Sequence, residues 1–303
     1  MSLHSLKLVA SFVALVALVV VTPLQAQRPI KVFISVDMEG IGGVVTAEQL
    51  GPTGFEYNRF REFMTAEALA AIAGAREAGA TQFVVADSHG NEQNLLIERF
   101  PVGTTIIRGS PRPNGMMQGI DSSFAAAFFI GYHAATTNTQ GVRAHTISSA
   151  TFAALKLNGR ASAESGLNAA IAGFYGVPVA LISGDADAVG ELRALVPTAE
   201  GAIVKQAISF HAAAVMTPEA SQALIKAGAR TAIERLKEMK PYTERAPVQL
   251  DLVYKNYTPA EMMAYLPGVE RVDSHTIRYT GRTILEISMF MQVATGYRSD
   301  LTP

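Results

Sequence analysis

The sequence predicts an α/β fold: a mainly parallel sheet with flanking helices that carries a metal site, joined to a smaller C-terminal α+β portion. Three observations predict it. Short apolar runs rich in β-branched and aromatic residues recur at Ile30–Val36, 82–86, 124–130 and 177–183, with the two-sided apolarity of strands buried inside a parallel sheet. Alanine-rich amphipathic stretches lie between them, so strand, helix and strand form right-handed crossovers. Several of the runs stop abruptly in a carboxylate or a histidine, and ligands collect at that edge of such a sheet.

Residues 1–26 read as a segment apart from the fold. Lys7 precedes an apolar run from Leu8 to Val21, and Pro23, Gln25 and Ala26 follow, the pattern of a cleaved secretory signal. The run falls short of the ~20 residues of a spanning helix, so no membrane association is expected once it is removed. Lys7 is its only charged side chain; the 25 Lys and Arg fall to 24 against 26 Asp and Glu. A surface so near neutrality argues against nucleic acid or an anionic membrane as partner. Cysteine is absent, so a chain working in the periplasm or outside the cell depends on its core rather than on disulfides. The expected division is an α/β metal-binding catalytic domain over 27–189 and a smaller α+β domain over 190–303.

Taken in order, Ile30–Val36 is the central strand and Asp37-Met38-Glu39-Gly40 closes it. Residues two apart on an extended chain point the same way, so the Asp37 and Glu39 carboxylates converge; a proton, a cation or a metal must relieve their repulsion. A helix over 57–77 places Phe60, Phe63, Met64, Leu69 and Ile72 on one face and ends before Gly79. The strand at 82–86 runs into Asp87-Ser88-His89, a third short strand covers 104–107, and the run at 124–130 leads to Gly131-Tyr132-His133. After the Gly141–His145 loop, a strand at 152–157 meets Asn158-Gly159, a hairpin signal, and a helix then reaches about Tyr175 with Glu164 in its first turn. The strand at 177–183 opens through Gly184-Asp185-Ala186-Asp187 into another helix. From Gly190 the texture changes. Thr217-Pro218-Glu219 starts a helix running toward Lys240, followed by a strand at 248–254, a short helix at 259–266, one or two strands within 269–279 and a last helix over 283–294.

Asp37, Glu39, His89, His133 and Glu164 form a candidate ligand set. Carboxylate oxygen with imidazole nitrogen suits zinc, manganese, cobalt or iron better than calcium or magnesium. Five such ligands exceed one tetrahedral zinc, whereas two metals ~3.5–4 Å apart with a bridging carboxylate use them all and activate a bridging hydroxide. Each residue alone has a plainer reading: the acids as loop caps or a dipole-favoured first turn, the histidines as hydrogen-bonded core groups. His145 reads as a general acid or base, as an electrophile, or as a residue packed against the sheet.

The ordered set 35–40, Asp87-Ser88-His89, Gly131-Tyr132-His133-Ala134, Gly141 to His145 and Glu164-Ser165-Gly166-Leu167-Asn168 resembles the bacterial D-aminopeptidase family typified by a dipeptide-operon protein. The resemblance runs from about Ile30 to the C-terminus and includes Lys205-Gln206. It implies a dinuclear zinc aminopeptidase, with two zinc ions per subunit, that releases an N-terminal residue, notably D-alanine, from short peptides within a ring-like homo-oligomer. On that resemblance Asp37, Glu39, His89, His133 and Glu164 match the zinc ligands, Asp37 as the bridge, and His145 matches the catalytic residue. A hydroxide held by metal already supplies a nucleophile, so His145 is expected to donate a proton or steady the oxyanion.

Two other classes share parts of the pattern. A haloacid-dehalogenase-like phosphatase would use Asp37 and Glu39 with the later Asp185 and Asp187, but leaves His89, His133 and Glu164 without work. A periplasmic solute-binding protein shares the leader, size and texture.

Overall fold

Twelve strands and six α-helices alternate through residues 29–296, the part of the chain that the computed structural model describes. The expected leader at 1–26 lies outside those residues. In chain order the elements begin with β1 (Ile30–Val36), α1 (Tyr57–Glu77), β2 (Ala80–Asp87), β3 (Thr105–Ile107), β4 (Ala126–Tyr132), β5 (Phe152–Leu157) and β6 (Arg160–Ala161). They continue with α2 (Glu164–Phe174), β7 (Val179–Asp185), α3 (Ala186–Leu195), β8 (Glu200–Ser209), β9 (Ala212–Val215) and α4 (Pro218–Glu234). β10 (Val248–Tyr254), α5 (Tyr257–Met263), β11 (Val269–Arg271), β12 (Thr276–Gly281) and α6 (Ile284–Gly296) complete the series.

The large sheet has the order β3-β2-β1-β4-β7-β8-β9. All of its pairings are parallel except that of the edge strand β9. Alternation along β1 explains its two covered faces. Val32, Ile34 and Val36 enter a core with α1 and α4, whereas Phe33 enters a second core with α2, α3 and the small sheet. That small sheet, β11-β12-β10-β5-β6, is antiparallel throughout. The fold is therefore α/β as expected, with an α+β portion built largely from C-terminal elements.

The sheets interleave across residue 190. The β8–β9 hairpin, left unassigned from the sequence, extends the large sheet, while β5 and β6 leave it to pair beside β10. The α4 helix stops at Glu234, short of Lys240, and tightens into a 3-10 turn at Leu236–Glu238 before Pro241. No helix among the described residues is long and apolar enough to cross a membrane.

β1 has β2 on one side and β4 on the other, so the strand order reverses around it, and the crevice opens at its carboxyl end. There the chain leaving β1 presses against the end of β4. The Asp37 amide donates to the Ile130 carbonyl at 2.8 Å and the Gly40 amide to the Gly131 carbonyl at 2.7 Å. A Cβ on Gly40 would lie 2.0 Å from the Tyr132 oxygen, so only glycine permits this approach, and Gly131 turns at φ 73° to make room.

Candidate metal centre

The six residues singled out from the sequence meet at the carboxyl edge of the large sheet. β1 delivers Asp37 and Glu39, the end of β2 delivers His89, the end of β4 delivers His133, the first turn of α2 delivers Glu164, and the loop after β4 delivers His145. Asp37, Glu39, His89, His133 and Glu164 are all buried.

Each imidazole turns one nitrogen to a backbone carbonyl and the other into the cluster. His89 Nε2 donates to the Leu50 carbonyl at 2.7 Å, leaving Nδ1 2.8 Å from Glu39 Oε2 and 3.3 Å from Asp37 Oδ1. His133 Nδ1 donates to the Ala134 carbonyl at 3.1 Å, and its Nε2 lies 3.3 Å from Asp37 Oδ2 and 3.4 Å from Glu164 Oε1. His145 Nδ1 donates to the Arg143 carbonyl at 2.8 Å, and its Nε2 stands back at 3.9 Å from Glu39 Oε1 and 4.0 Å from Glu164 Oε1. The His133 and His145 rings stack with centroids 4.0 Å apart. Because a carbonyl only accepts, these outer bonds keep the outer nitrogen protonated and leave the inner one to take a proton or a metal, the arrangement that orients metal-binding histidines.

The electrostatics follow from burial and proximity. Burial opposes charge on both histidines, but Glu39 and Asp37 carry His89, and Glu164 and Asp37 carry His133, well above the usual imidazole range. Burial raises the Asp37 carboxyl and the neighbouring Glu39 charge raises it further. Burial also works against Glu39 and Glu164, yet His89 holds the first well below its ordinary value and His133 holds the second down.

A transition-metal cation fits these residues. Asp37 Oδ2 and His133 Nε2 are buried and have no hydrogen-bond partner among the described residues, an expensive state unless something else binds them. Two triplets place their ligand atoms within 4.8 Å of one another: Asp37, Glu39 and His133, and His133, His145 and Glu164. Oxygen and nitrogen donors in this mixture are those of zinc and its neighbours. His145 belongs to one triplet, so geometry brings it near the ligand set as well as near a catalytic position.

Supporting groups that residue-level reading of the sequence missed hold the cluster from beneath. Lys205 on β8 is buried, and its Nζ donates to the Glu39, Ile41 and Val44 carbonyls, the last two at 3.1 and 2.7 Å. Burial pushes its ammonium down to about 8, against the pull of nearby carboxylates led by Asp185. Glu67 on α1 accepts from the Gly42 amide and from Ser221 Oγ on α4, each at 2.9 Å, and burial pushes it up to about 7. Asp87 accepts from the Asn94 and Leu95 amides at 2.6 and 2.7 Å, closing the loop that carries His89. Asp185, which the phosphatase reading would use as a metal residue, instead caps α3 through the Ala188 amide and holds the Val142 amide at 2.6 Å.

A parallel sheet with buried carboxylates and imidazoles converging where its strand order reverses defines a metal-dependent hydrolase of the α/β class. The D-aminopeptidase family matches this chain over residues 30–293, and the chain belongs to that family. It is accordingly an enzyme, a metallo-aminopeptidase of the D-aminopeptidase-like kind. A D-aminopeptidase of Bacillus subtilis (strain 168) is 34% identical over 268 residues, spanning 88% of this chain and 96% of the relative. A solved structure, the zinc-dependent D-aminopeptidase from Bacillus subtilis, described as a self-compartmentalizing protease, superposes with a TM-score of 0.85 at 33% identity. That match covers 90% of this chain and 100% of the other. The resemblance expected from the motifs thus holds for family, fold and enzyme class, and sets the phosphatase and solute-binding alternatives aside.

Proposed function

We propose that this chain is an exported, zinc-dependent aminopeptidase that releases the N-terminal residue, D-alanine among them, from short peptides. The observation that carries the reading is the convergence of three carboxylates and three imidazoles, all but His145 buried, with Asp37 Oδ2 and His133 Nε2 facing each other at 3.3 Å and neither making a hydrogen bond among the described residues. Asp37, Glu39, His89, His133 and Glu164 would hold the metal, donors enough for two ions. When bound, zinc supplies Lewis-acid polarisation of the scissile carbonyl and lowers the pKa of the attacking water. His145 Nε2 faces the same space and moves the proton, giving it to the departing amine or holding the developing oxyanion. The Arg143 carbonyl keeps its other nitrogen protonated and the ring in place.

The description of the Bacillus enzyme as self-compartmentalizing supports a homo-oligomer. The apolar run at 8–21 with Ala26 behind it supports work in the periplasm or outside the cell. The testing experiment is release of alanine from D-Ala-D-Ala and L-Ala-L-Ala, before and after chelation and zinc return, with metal content measured alongside. Chelator-sensitive, zinc-restored cleavage of the D form alone is expected. Cleavage undiminished in metal-depleted protein overturns the metal assignment, and cleavage of the L form alone overturns the stereochemical one.

A further inference from the structure

α2 carries Glu164, Leu167, Asn168 and Ile171 at positions i, i+3, i+4 and i+7, one stripe along the helix, and all four line a cavity of about 730 Å3. On α6, Ser288, Met291, Gln292 and Thr295 repeat that spacing and line the same cavity. The loop at Asn114–Met116 supplies a further wall, and Gln292 reaches toward it: a Cβ on Gly115 would lie 3.3 Å from Gln292 Nε2. Glu164 thus belongs both to the metal cluster and to the wall of a chamber between two helices.

The chamber is far larger than an alanine side chain needs. At 1.5 Å per residue the stripe runs ~10 Å from Glu164 to Ile171, and cavities of roughly 300–1,000 Å3 accommodate drug-sized ligands. Its chemistry changes along that length. Glu164 comes first, Leu167 and Asn168 one turn on, and Ile171 last. Asn168 donates both amide hydrogens, to Met116 Sδ at 3.1 Å and to Tyr132 Oη at 2.9 Å, so its carbonyl oxygen is the group left to accept. That amide oxygen, one turn from Glu164 on the metal side, suits a peptide's α-ammonium. The side chain of the same residue then runs on toward Leu167 and Ile171.

We propose that this cavity receives the side chain of the residue released, and that the enzyme accepts large apolar residues of leucine to phenylalanine size as well as alanine. The assignment rests on the aminopeptidase reading of the metal centre. Its substrates are peptides led by a bulky apolar residue, and Gln292 on α6 sets how bulky.

The test uses the zinc-loaded enzyme and two dipeptide series in the D configuration: alanine, leucine or phenylalanine before a fixed alanine, and alanine before the same three residues. The wild-type enzyme is expected to cleave all three members of the first series. Gln292→Trp, which fills the chamber, is expected to lower the ratio of kcat/KM for the phenylalanine-led peptide to that for the alanine-led one by ~10-fold or more. Thr295→Trp, half-buried on the same stripe, is the second variant and shifts the ratio in the same direction. An unchanged ratio in both zinc-retaining variants overturns the proposal, as does a shift confined to the second series. Wild-type cleavage of alanine-led peptides alone overturns it while leaving the aminopeptidase reading intact, whereas no cleavage of any peptide brings down that reading first.

Discussion

Two loops meet over the metal centre and are held in opposite ways. The loop at 37–44 leaves β1 directly and is gripped from below by buried charge: the Lys205 ammonium binds three of its carbonyls, and Glu67 binds the Gly42 amide. The loop at 141–148 is gripped by its amides, Val142 on Asp185 and Ile147 on Glu164, the second at 2.6 Å. It also bends through the left-handed region at Arg143 (φ 56°) and Ile147 (φ 63°). A β-branched residue there is a conformational outlier, and each such residue costs about 1–3 kcal/mol. The first loop is thus fixed by parts of the fold outside the cluster. The second is strained and tied to a member of the cluster, so the position of His145 is coupled to what Glu164 binds. Rigid donors and a coupled proton carrier divide the work of the site.

The largest effects that would break this contrast come from the histidines. His89→Ala and His133→Ala are each expected to lose metal and essentially all turnover together, measured by metal analysis beside kcat. His145→Ala is expected to keep its metal while kcat falls by ~10^2–10^4. Loss of metal in His145→Ala would instead make the second loop part of the metal-holding set, as the triplet of His133, His145 and Glu164 allows.

Lys205→Met comes next. It removes the donor for three buried carbonyls, and about 3 kcal/mol or more of stability should go with it, read as a lower denaturant midpoint. An unchanged midpoint would mean that the first loop is held by its contacts with β4 instead.

Glu67→Gln has a smaller effect that depends on pH. Folding raises the Glu67 carboxyl from 4.5 to about 7, so its contribution is fully present below about pH 4.5 and is lost as pH rises through 7. Glutamine keeps the oxygen that accepts from Gly42 and abolishes that dependence. The variant should therefore gain on the wild type between pH 5 and pH 8, by up to ~3 kcal/mol in chemical denaturation at the two pH values. A constant difference across that range would place the titration elsewhere.

The same contrast explains what was legible in the sequence. Asp37, Glu39, His89 and His133 each end an apolar run, and a parallel sheet turns that one-dimensional signal into a shared edge. Lys205 and Glu67 carry no such mark. Lys205 sits in a strand of mixed polarity that reads as surface, and its burial appears only when β8 pairs beside β7. Glu67 occupies a charged position on an amphipathic helix, and it is buried because α4 packs over α1. The chamber was invisible for a related reason: α2 and α6 are remote in the chain, and neither stripe shows its partner.

The distance from Val44 to Lys205 along the chain, 161 residues, also sets an order of events during synthesis. All six residues at the metal cluster leave the ribosome before Lys205 does, and at 5–20 residues per second the gap between the loop and its lysine is on the order of 10–30 s. By the end of that interval the nascent chain has made every future donor and still lacks the ammonium that fixes them. The hydrolase is born in an unlatched state, and β8 is the latch.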